Sequence, residues 1–312
     1  MRILTNVNVD WLRWRWHSLV LSWLVILAGV GLMATRGLPL GIDFSGGTLV
    51  VVRFDTAVSE DQIRNAIPGD EESVQRYSDA VNEFSIRLPL QVGAEGTDET
   101  ALAQTAQRML ADLQKANLGT IEVRSTEFVG PVIGRDLQRK GFFATVASLG
   151  GIAVYIGLRF RFSFAIGAMV ASVHDVLITL SILTLAGYEL SLNTIAAILT
   201  LVGYGVNDQI VIFDRVRENL RLKKREPIET VINTAVNQTL PRTIITAGTT
   251  FLAVFSLFVF GGDVLEGFAF AMLVGIITST YSTVFIASAI AVMLSPKMPA
   301  RQVQSKAGRQ AS

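Results

Sequence analysis

The chain has no cysteine, two histidines and few charged residues, and each shortage excludes a class of function. Without any Cys among its 312 residues, there is no disulfide, no thiolate metal site and no cysteine nucleophile. His17 and His174 are too few for a histidine-rich zinc or haem site. Charged residues make up 17% of the chain, against about 25% in a typical soluble domain, and half of all residues are hydrophobic. This composition predicts a polytopic α-helical membrane protein.

Six apolar stretches are long enough to cross a hydrocarbon core, which takes about 20 residues. They cover residues 18–35, 141–158, 164–186, 190–213, 243–260 and 268–294. The first could be mistaken for a signal peptide, but its apolar run is too long and no cleavage pattern follows Arg36. We therefore expect a retained membrane anchor there. The tryptophans at its entry are typical of a membrane interface.

Lys and Arg are unevenly distributed among the connections, and this predicts the orientation of the spans. They occur in the N-terminus 1–17, in the second-to-third connection, in the basic loop 214–242 and in the tail 295–312. The short connections around Tyr188 and over 261–267 have none. We expect both termini to be cytoplasmic and the segment 36–140 to be external. The net charge of +1 argues against a nucleic-acid partner.

The segment 36–140 has the patterning of a soluble domain. The expected elements are a strand at 48–54, a helix opened by a capping box at Ser59, strands at 73–77 and 82–88, a helix at 98–117 and a strand at 120–128. This β-α-β-β-α-β order predicts an α+β ferredoxin-like domain. Because the domain has no Cys or His, we expect contact with a partner or a passing substrate, and the alternative is an inert structural domain.

Ionisable residues within the spans are costly, so each is a hypothesis about function. Asp208 in the fourth span and Arg242 at the start of the fifth lie at similar depth, where the two side chains can pair. Burial favours the neutral acid and a nearby Arg favours the carboxylate, so Asp208 can exchange a proton as its surroundings move. His174 and Asp175 in the third span are possible supporting residues.

Structural readings of the same residues stay open. Asp208 could only cap or anchor a helix end, Arg242 could extend to the interface, and His174 with Asp175 could simply join helices by hydrogen bonds. Gly203 and Gly205 suit close helix packing as well as a hinge. An intramembrane aspartyl protease is disfavoured because Asp208 does not directly follow a Gly-x-Gly run. A nucleotide-binding P-loop is absent from the sequence.

Several segments together resemble the SecF family, the smaller subunit of the bacterial SecDF protein-export complex. In chain order they are GIDFSGGT at 41–48, VHDV at 173–176, GYGVND at 203–208, DRVREN at 214–219, QTLPRT at 238–243, GTT at 248–250 and LEGF at 265–268. The resemblance covers about residues 10 to 295 in order. The family usually has His before the Arg of QTLPRT, whereas Pro241 stands there in this chain.

The resemblance implies one six-span half of an RND-type (resistance-nodulation-division) pair with SecD in the bacterial inner membrane. Such a complex associates with the SecYEG channel and membrane lipid, and uses the proton-motive force to promote preprotein export. The family's proton-path residues map onto Asp208 and Arg242. The signature residues Asp43, Phe44, Gly46 and Gly47 are implied to be structural. We expect no enzymatic activity, metal or cofactor.

Two other functions compete with this one. The first is half of an RND-type exporter of small molecules or lipids, although those exporters usually carry both halves and larger external domains in one chain. The second is a membrane-anchored scaffold or sensor without ion coupling, which would tolerate replacement of Asp208 and Arg242.

Overall fold

The computed structural model describes residues 8–67, 73–76, 82–88, 99–222 and 226–295. Its helices are α1 Arg15–Arg36, α2 Ile42–Ser45, α3 Glu60–Ala66, α4 Glu99–Lys115, α5 Pro131–Arg159, α6 Phe162–Ala186, α7 Leu192–Leu222, α8 Ile228–Phe260, α9 Asp263–Ser282 and α10 Ser288–Leu294. The strands are β1 Gly47–Phe54, β2 Ser73–Arg76, β3 Glu83–Leu88 and β4 Ile121–Val129. A π-helix, Thr283–Ala287, joins α9 to α10, so the chain runs as one long helix from Asp263 to Leu294.

Six helices of the described part of the chain are long and apolar enough to cross a membrane, which confirms the predicted number of spans. They divide into an inner and an outer group. In the inner group, 61%, 50% and 67% of the most apolar stretch is buried in α6, α7 and the α9–α10 helix, respectively. The corresponding shares for α1, α5 and α8 are 22%, 6% and 11%. The bundle is therefore a packed three-helix centre with three peripheral helices, whose outer faces contact lipid or a partner.

The segment 214–242, expected from its charge to be a loop, is mainly helical. Helix α7 continues to Leu222 and α8 begins at Ile228, with 223–225 outside the described residues. The reason is amphipathicity, since Val216 on α7 and Val231, Ile232 and Ala235 on α8 are fully buried in one apolar cluster. Helix α5 likewise begins at Pro131, about ten residues before the predicted span, with Pro in the first turn where its missing N–H costs nothing.

The N-terminal segment is held against α8 by hydrogen bonds from two asparagines. Asn233 and Asn237, one turn apart, bond the backbone of Val9 and Trp11 at 2.8–3.1 Å. The indole of Trp11 also donates to Asn237 Oδ1 at 3.0 Å. These bonds join the two elements that precede the first and the fifth spans. Most of the predicted tail 295–312 lies outside the described residues.

Between α1 and α5 the chain forms a four-stranded antiparallel sheet in the order β2-β3-β1-β4. The order of elements along the chain is strand, helix, strand, strand, helix, strand. Helices α3 and α4 supply Ile63 and Leu113 to a core that includes Val50, Phe84 and Ile86, all of them completely shielded from solvent. The capping box at Ser59 is present, with Ser59 and Gln62 bonding each other's backbone N–H. Every second residue of β1 and β3 faces this core, namely Val50, Val52 and Phe54 on β1 and Phe84, Ile86 and Leu88 on β3, so the inserted segment folds around its own core.

Candidate functional site

Asp208 and Arg242 are brought close together by the packing of α7 on α8. Asp208 is 5% exposed, and Arg242 is near enough to influence its charge, but no direct ion pair joins the two side chains in the described part of the chain. The Oδ2 atom of Asp208 has no hydrogen-bond partner among the described residues. Arg242 follows Pro241, which lies inside α8 and cannot donate a backbone hydrogen bond. The buried acid of the site therefore has a cation nearby on the neighbouring helix, without direct contact between the two.

One side of this site is open at the surface of the isolated chain. Asn207, next to Asp208, is exposed, and so are Arg242 and Thr249 on α8. Both helices are long and apolar enough to span a membrane, and exposed amide and guanidinium groups within a span are unfavourable against lipid. The outer face of α5 differs, because it presents the apolar side chains of Phe142, Phe143, Val146, Val154 and Leu158.

His174 and Asp175 form a second buried group, on α6. Their side chains are bonded at 3.0 Å between Nδ1 and Oδ1, and Ser282 on α9 donates its hydroxyl to Asp175 Oδ2 at 2.8 Å. A Cβ atom placed on Gly205 would lie 3.5 Å from Asp175 Oδ2 and 3.1 Å from Ser279 Cβ. Glycine at 205 therefore lets α7 approach Asp175 closely. Gly205 lies on α7 one turn before Asp208, so the two acids are near the same part of α7.

The polar residues of α9 were not predicted from the sequence. Ser279 and Ser282 are 1% and 0% exposed and are spaced by three residues, which places them on one helix face. Gln209, next to Asp208, was also missed although it is completely buried. A search for polar residues at helical spacing within apolar spans would have found all three.

The signature segment 41–48 is the base on which the soluble domain rests. Asp43 Oδ2 accepts the backbone N–H of Leu192 at 2.9 Å and so caps the start of α7. Phe44 is 2% exposed, and its carbonyl accepts Gln138 Nε2 of α5 at 2.7 Å. Gly46 and Gly47 have φ values of +73° and +125°, a region that side-chain-bearing residues rarely adopt. The two glycines thus allow the chain to turn from α2 directly into β1.

A joint connects this base and the soluble domain to the loop between α6 and α7. Arg87, at the end of β3, forms an ion pair with Glu189 and donates to the carbonyl of Leu40 at 2.9 Å. Leu40 and Leu190 pair as a parallel β-bridge. Burial lowers the pKa of Arg87, and the nearby carboxylate of Asp43 opposes this shift. None of these contacts was predicted, because Arg87 and Glu189 are 102 residues apart.

The phenol of Tyr188 extends the joint to the start of α9. It donates to Glu266 Oε1 at 2.5 Å, and burial, with a smaller contribution from Glu266, raises the pKa of Tyr188 well above its usual range. Within the described residues, no group of three or more His, Asp or Glu side chains is placed to hold a metal ion.

Fold and site together define a six-helix membrane protein with ionisable residues buried in the bundle and a soluble domain inserted after the first helix. Two family models match this chain. "Protein export membrane protein SecD/SecF, C-terminal" matches residues 109–297, and "SecD/SecF GG Motif" matches residues 31–58. The chain belongs to the SecD/SecF family of protein-export membrane proteins. The predicted family resemblance is thereby confirmed.

Two curated relatives show how far the similarity extends. The chain is 39% identical to the protein translocase subunit SecF of Desulfurispirillum indicum, over 93% of this chain and 92% of that protein. It is 37% identical to the SecF of Escherichia coli O157:H7, over 92% of this chain and 88% of that protein. The similarity to both relatives thus includes nearly the whole of each sequence.

Two solved structures are similar in fold. A crystal structure of SecDF from Thermus thermophilus, described as a translocon-associated membrane protein, is 32% identical, with a TM-score of 0.80. A structure of SecDF in a super-membrane-facing form is 33% identical, with a TM-score of 0.68. Each similarity covers 94% of this chain and 39% of the SecDF chain, so this chain spans about two fifths of those proteins.

Proposed function

We propose that this chain acts as the SecF-like subunit of a SecDF-type complex and promotes protein export through a SecYEG-type channel. The observation that carries the proposal is the similarity to SecF subunits over almost the entire chain. The role is that of a transport-associated protein rather than a classical enzyme. The alternative of an RND-type small-molecule exporter has less support, because the relatives named above are translocase subunits.

The proposed location is the bacterial inner membrane, with both termini cytoplasmic and the soluble domain outside. The distribution of Lys and Arg supports this orientation. The soluble domain is proposed to be a ferredoxin-like periplasmic domain. Its order of elements and its strand order β2-β3-β1-β4 support that assignment.

The proposed energy source is the proton-motive force, and Asp208 with Arg242 is the proposed proton path. A buried carboxylate that lacks a full set of hydrogen-bond partners gains from binding a proton, and a nearby guanidinium favours its release. A change in geometry that alters either influence would therefore shift the carboxyl between its protonated and its charged state. His174 and Asp175 are proposed as supporting residues.

The proposed partner is a SecD-like subunit seated against the open face of α7 and α8. The support is chemical, because Asn207 and Arg242 are exposed polar groups inside apolar spans. A second membrane-embedded protein would cover them with protein atoms instead of lipid. The remaining contacts of the proposed complex are with the translocon, the exported preprotein and lipid.

A bulky residue on this face is expected to separate the two subunits. Thr249→Trp should strongly reduce recovery of the SecD-like subunit after affinity purification in mild detergent, because Thr249 is exposed on the same face as Arg242. The matched control is Val146→Trp on the apolar face of α5, where Val146 is 50% exposed and lipid can adapt. Equal recovery with Thr249→Trp and with the unmodified chain would contradict this placement of the partner.

A further inference from the structure

Helix α6 carries three buried polar side chains on one face, in the middle of the bundle. Ser172, Asp175 and Thr179 are 3%, 3% and 0% exposed, and their spacing of three and four residues aligns them along the helix. Asp175 accepts the Ser282 hydroxyl of α9 and lies against Gly205 of α7. This face of α6 therefore points into the junction of α6, α7 and α9.

Gln209 extends the same polar region on α7. It follows Gly205 by four residues, which places it on the same face of α7 one turn further along. Because α7 approaches Asp175 at Gly205, the Gln209 side chain also points into the junction of the three helices. Its exposed fraction is 0%.

Hydrogen-bond accounting shows that these groups need further partners. Ser172 Oγ, Thr179 Oγ1 and both amide atoms of Gln209 are buried without a hydrogen-bond partner in the described part of the chain. By contrast, Ser181 and Thr184 on the same helix donate to the carbonyls of Leu177 and Leu180, the usual solution for a hydroxyl in a helix.

Leaving such atoms unsatisfied is expensive. A buried polar group without a partner loses the bonds that it makes to water in the unfolded chain, and lipid supplies no substitute for them. His174, which is bonded to Asp175 through Nδ1, adds a further unpaired buried atom, Nε2. In folded proteins, clustered buried polar groups of this kind are satisfied by internal water.

The π-helix lies beside this polar face. Ser282 contacts Asp175 immediately before it. At its other end, a Cβ atom on Gly167 of α6 would lie 2.7 Å from the Ala287 carbonyl. Ser172 falls between these two contacts on α6. Single π turns within α-helices occur often at functional sites.

We infer that the junction of α6, α7 and α9 holds a column of bound water that extends from Ser172 past Asp175 to Thr179. Water molecules there bond the Ser172 and Thr179 hydroxyls and the Gln209 amide, and the Asp175 carboxylate, to which His174 is bonded through Nδ1, lies at the centre. This site is inside the chain and is separate from the open face that carries Arg242. Its use as a second route for protons rests on the function proposed above, whereas its hydration does not.

Silver-ion labelling of single cysteines tests the inference in membranes. Because the chain has no Cys, each variant carries one thiol, and Ser172→Cys and Thr179→Cys change little in side-chain size. Both thiols should react with Ag⁺ about tenfold faster than Ala197→Cys, because small ions enter hydrated sites. Ala197 is equally buried, at 0% exposure, in an apolar cluster. Reaction of all three thiols at one slow rate would show that the junction is dry.

Hydroxyl-radical footprinting of the unmodified full-length chain provides an independent measurement. Radicals generated in isotopically labelled water should oxidise His174, which borders the column, and spare Met272, which is 5% exposed in the apolar cluster. Methionine is readily oxidised, so its protection would reflect the absence of water. Label on Met272 and none on His174 would overturn the inference. Neither readout depends on secretion or on a partner subunit, so failure here is distinguishable from failure of the proposed function.

Discussion

Asp208→Asn is expected to abolish the stimulation of protein export by this chain while leaving the chain in the membrane. Asparagine has nearly the shape of aspartic acid but cannot take up or release a proton at neutral pH. The site beside Arg242 would therefore be held in one charge state, and no proton could pass. Secretion of a reporter preprotein should fall to the level measured without the chain.

The matched control for this substitution is Asp214→Asn on the same helix. Asp214 pairs with Arg159 at 3.1 Å, and both side chains are 42% exposed. Exposed pairs of this kind contribute about 0–1 kcal/mol, so export should change little. Recovery of the SecD-like subunit should be equal for both variants. Normal stimulation by Asp208→Asn would favour the scaffold alternative, in which no ion is coupled.

Arg87→Glu is expected to release the soluble domain from the loop between α6 and α7. The substitution places a third negative charge near Glu189 and Asp43, and it removes the donor to the Leu40 carbonyl. Loss of one hydrogen bond to a charged group costs about 1.5–3 kcal/mol, and repulsion adds to that. We expect export stimulation to fall strongly as the domain loses its fixed position over the bundle.

A disulfide across the joint measures this release directly. Leu40 and Leu190 form a parallel bridge, and paired strands are close enough for a disulfide. In a Leu40→Cys/Leu190→Cys background, mild oxidation should link the two positions efficiently, and Arg87→Glu should lower the yield.

Two further variants separate the joint from general effects of charge. Adding Glu189→Arg to Arg87→Glu should recover part of the cross-linking yield by restoring an opposite-charge pair. Arg53→Glu is the control, because Arg53 is 49% exposed and lies 3.9 Å from Glu83. An unchanged yield with Arg87→Glu would mean that the β-bridge alone holds the joint.

The membrane spans could be predicted because their signal is local. A run of apolar residues has few alternatives to a helix across the bilayer, and six helices of the described residues are long and apolar enough to cross it. The capping box at Ser59 was predictable for the same reason, since Ser59 and Gln62 are three residues apart. In contrast, the helical structure of most of 214–242 was not predicted, because a count of charges ignores the helix face on which each charge lies. Val231 and Ile232 bury one side of α8 while charged neighbours remain outside.

Only the ionisable residues of the site could be predicted from the sequence, and their surroundings could not. Asp208, Arg242, His174 and Asp175 stand out in the sequence because charge is rare within a span. Their surroundings depend on how the helices pack, and no spacing rule places Ser282 against Asp175 or Glu189 against Arg87. Gly205 was predicted to suit close helix packing, but the sequence does not show that the helix it meets is the one that carries Asp175.

Coupling of export to the proton gradient is the central claim. It is tested most directly by comparing the increase in secretion that the chain causes when the gradient is intact with the increase that it causes after the gradient has collapsed. Secretion of a reporter preprotein is measured with and without this chain, its SecD-like partner being present throughout, before and after an ionophore collapses the gradient. We predict that the chain increases secretion when the gradient is intact and that the increase disappears with the ionophore. An increase of the same size under both conditions would contradict the account.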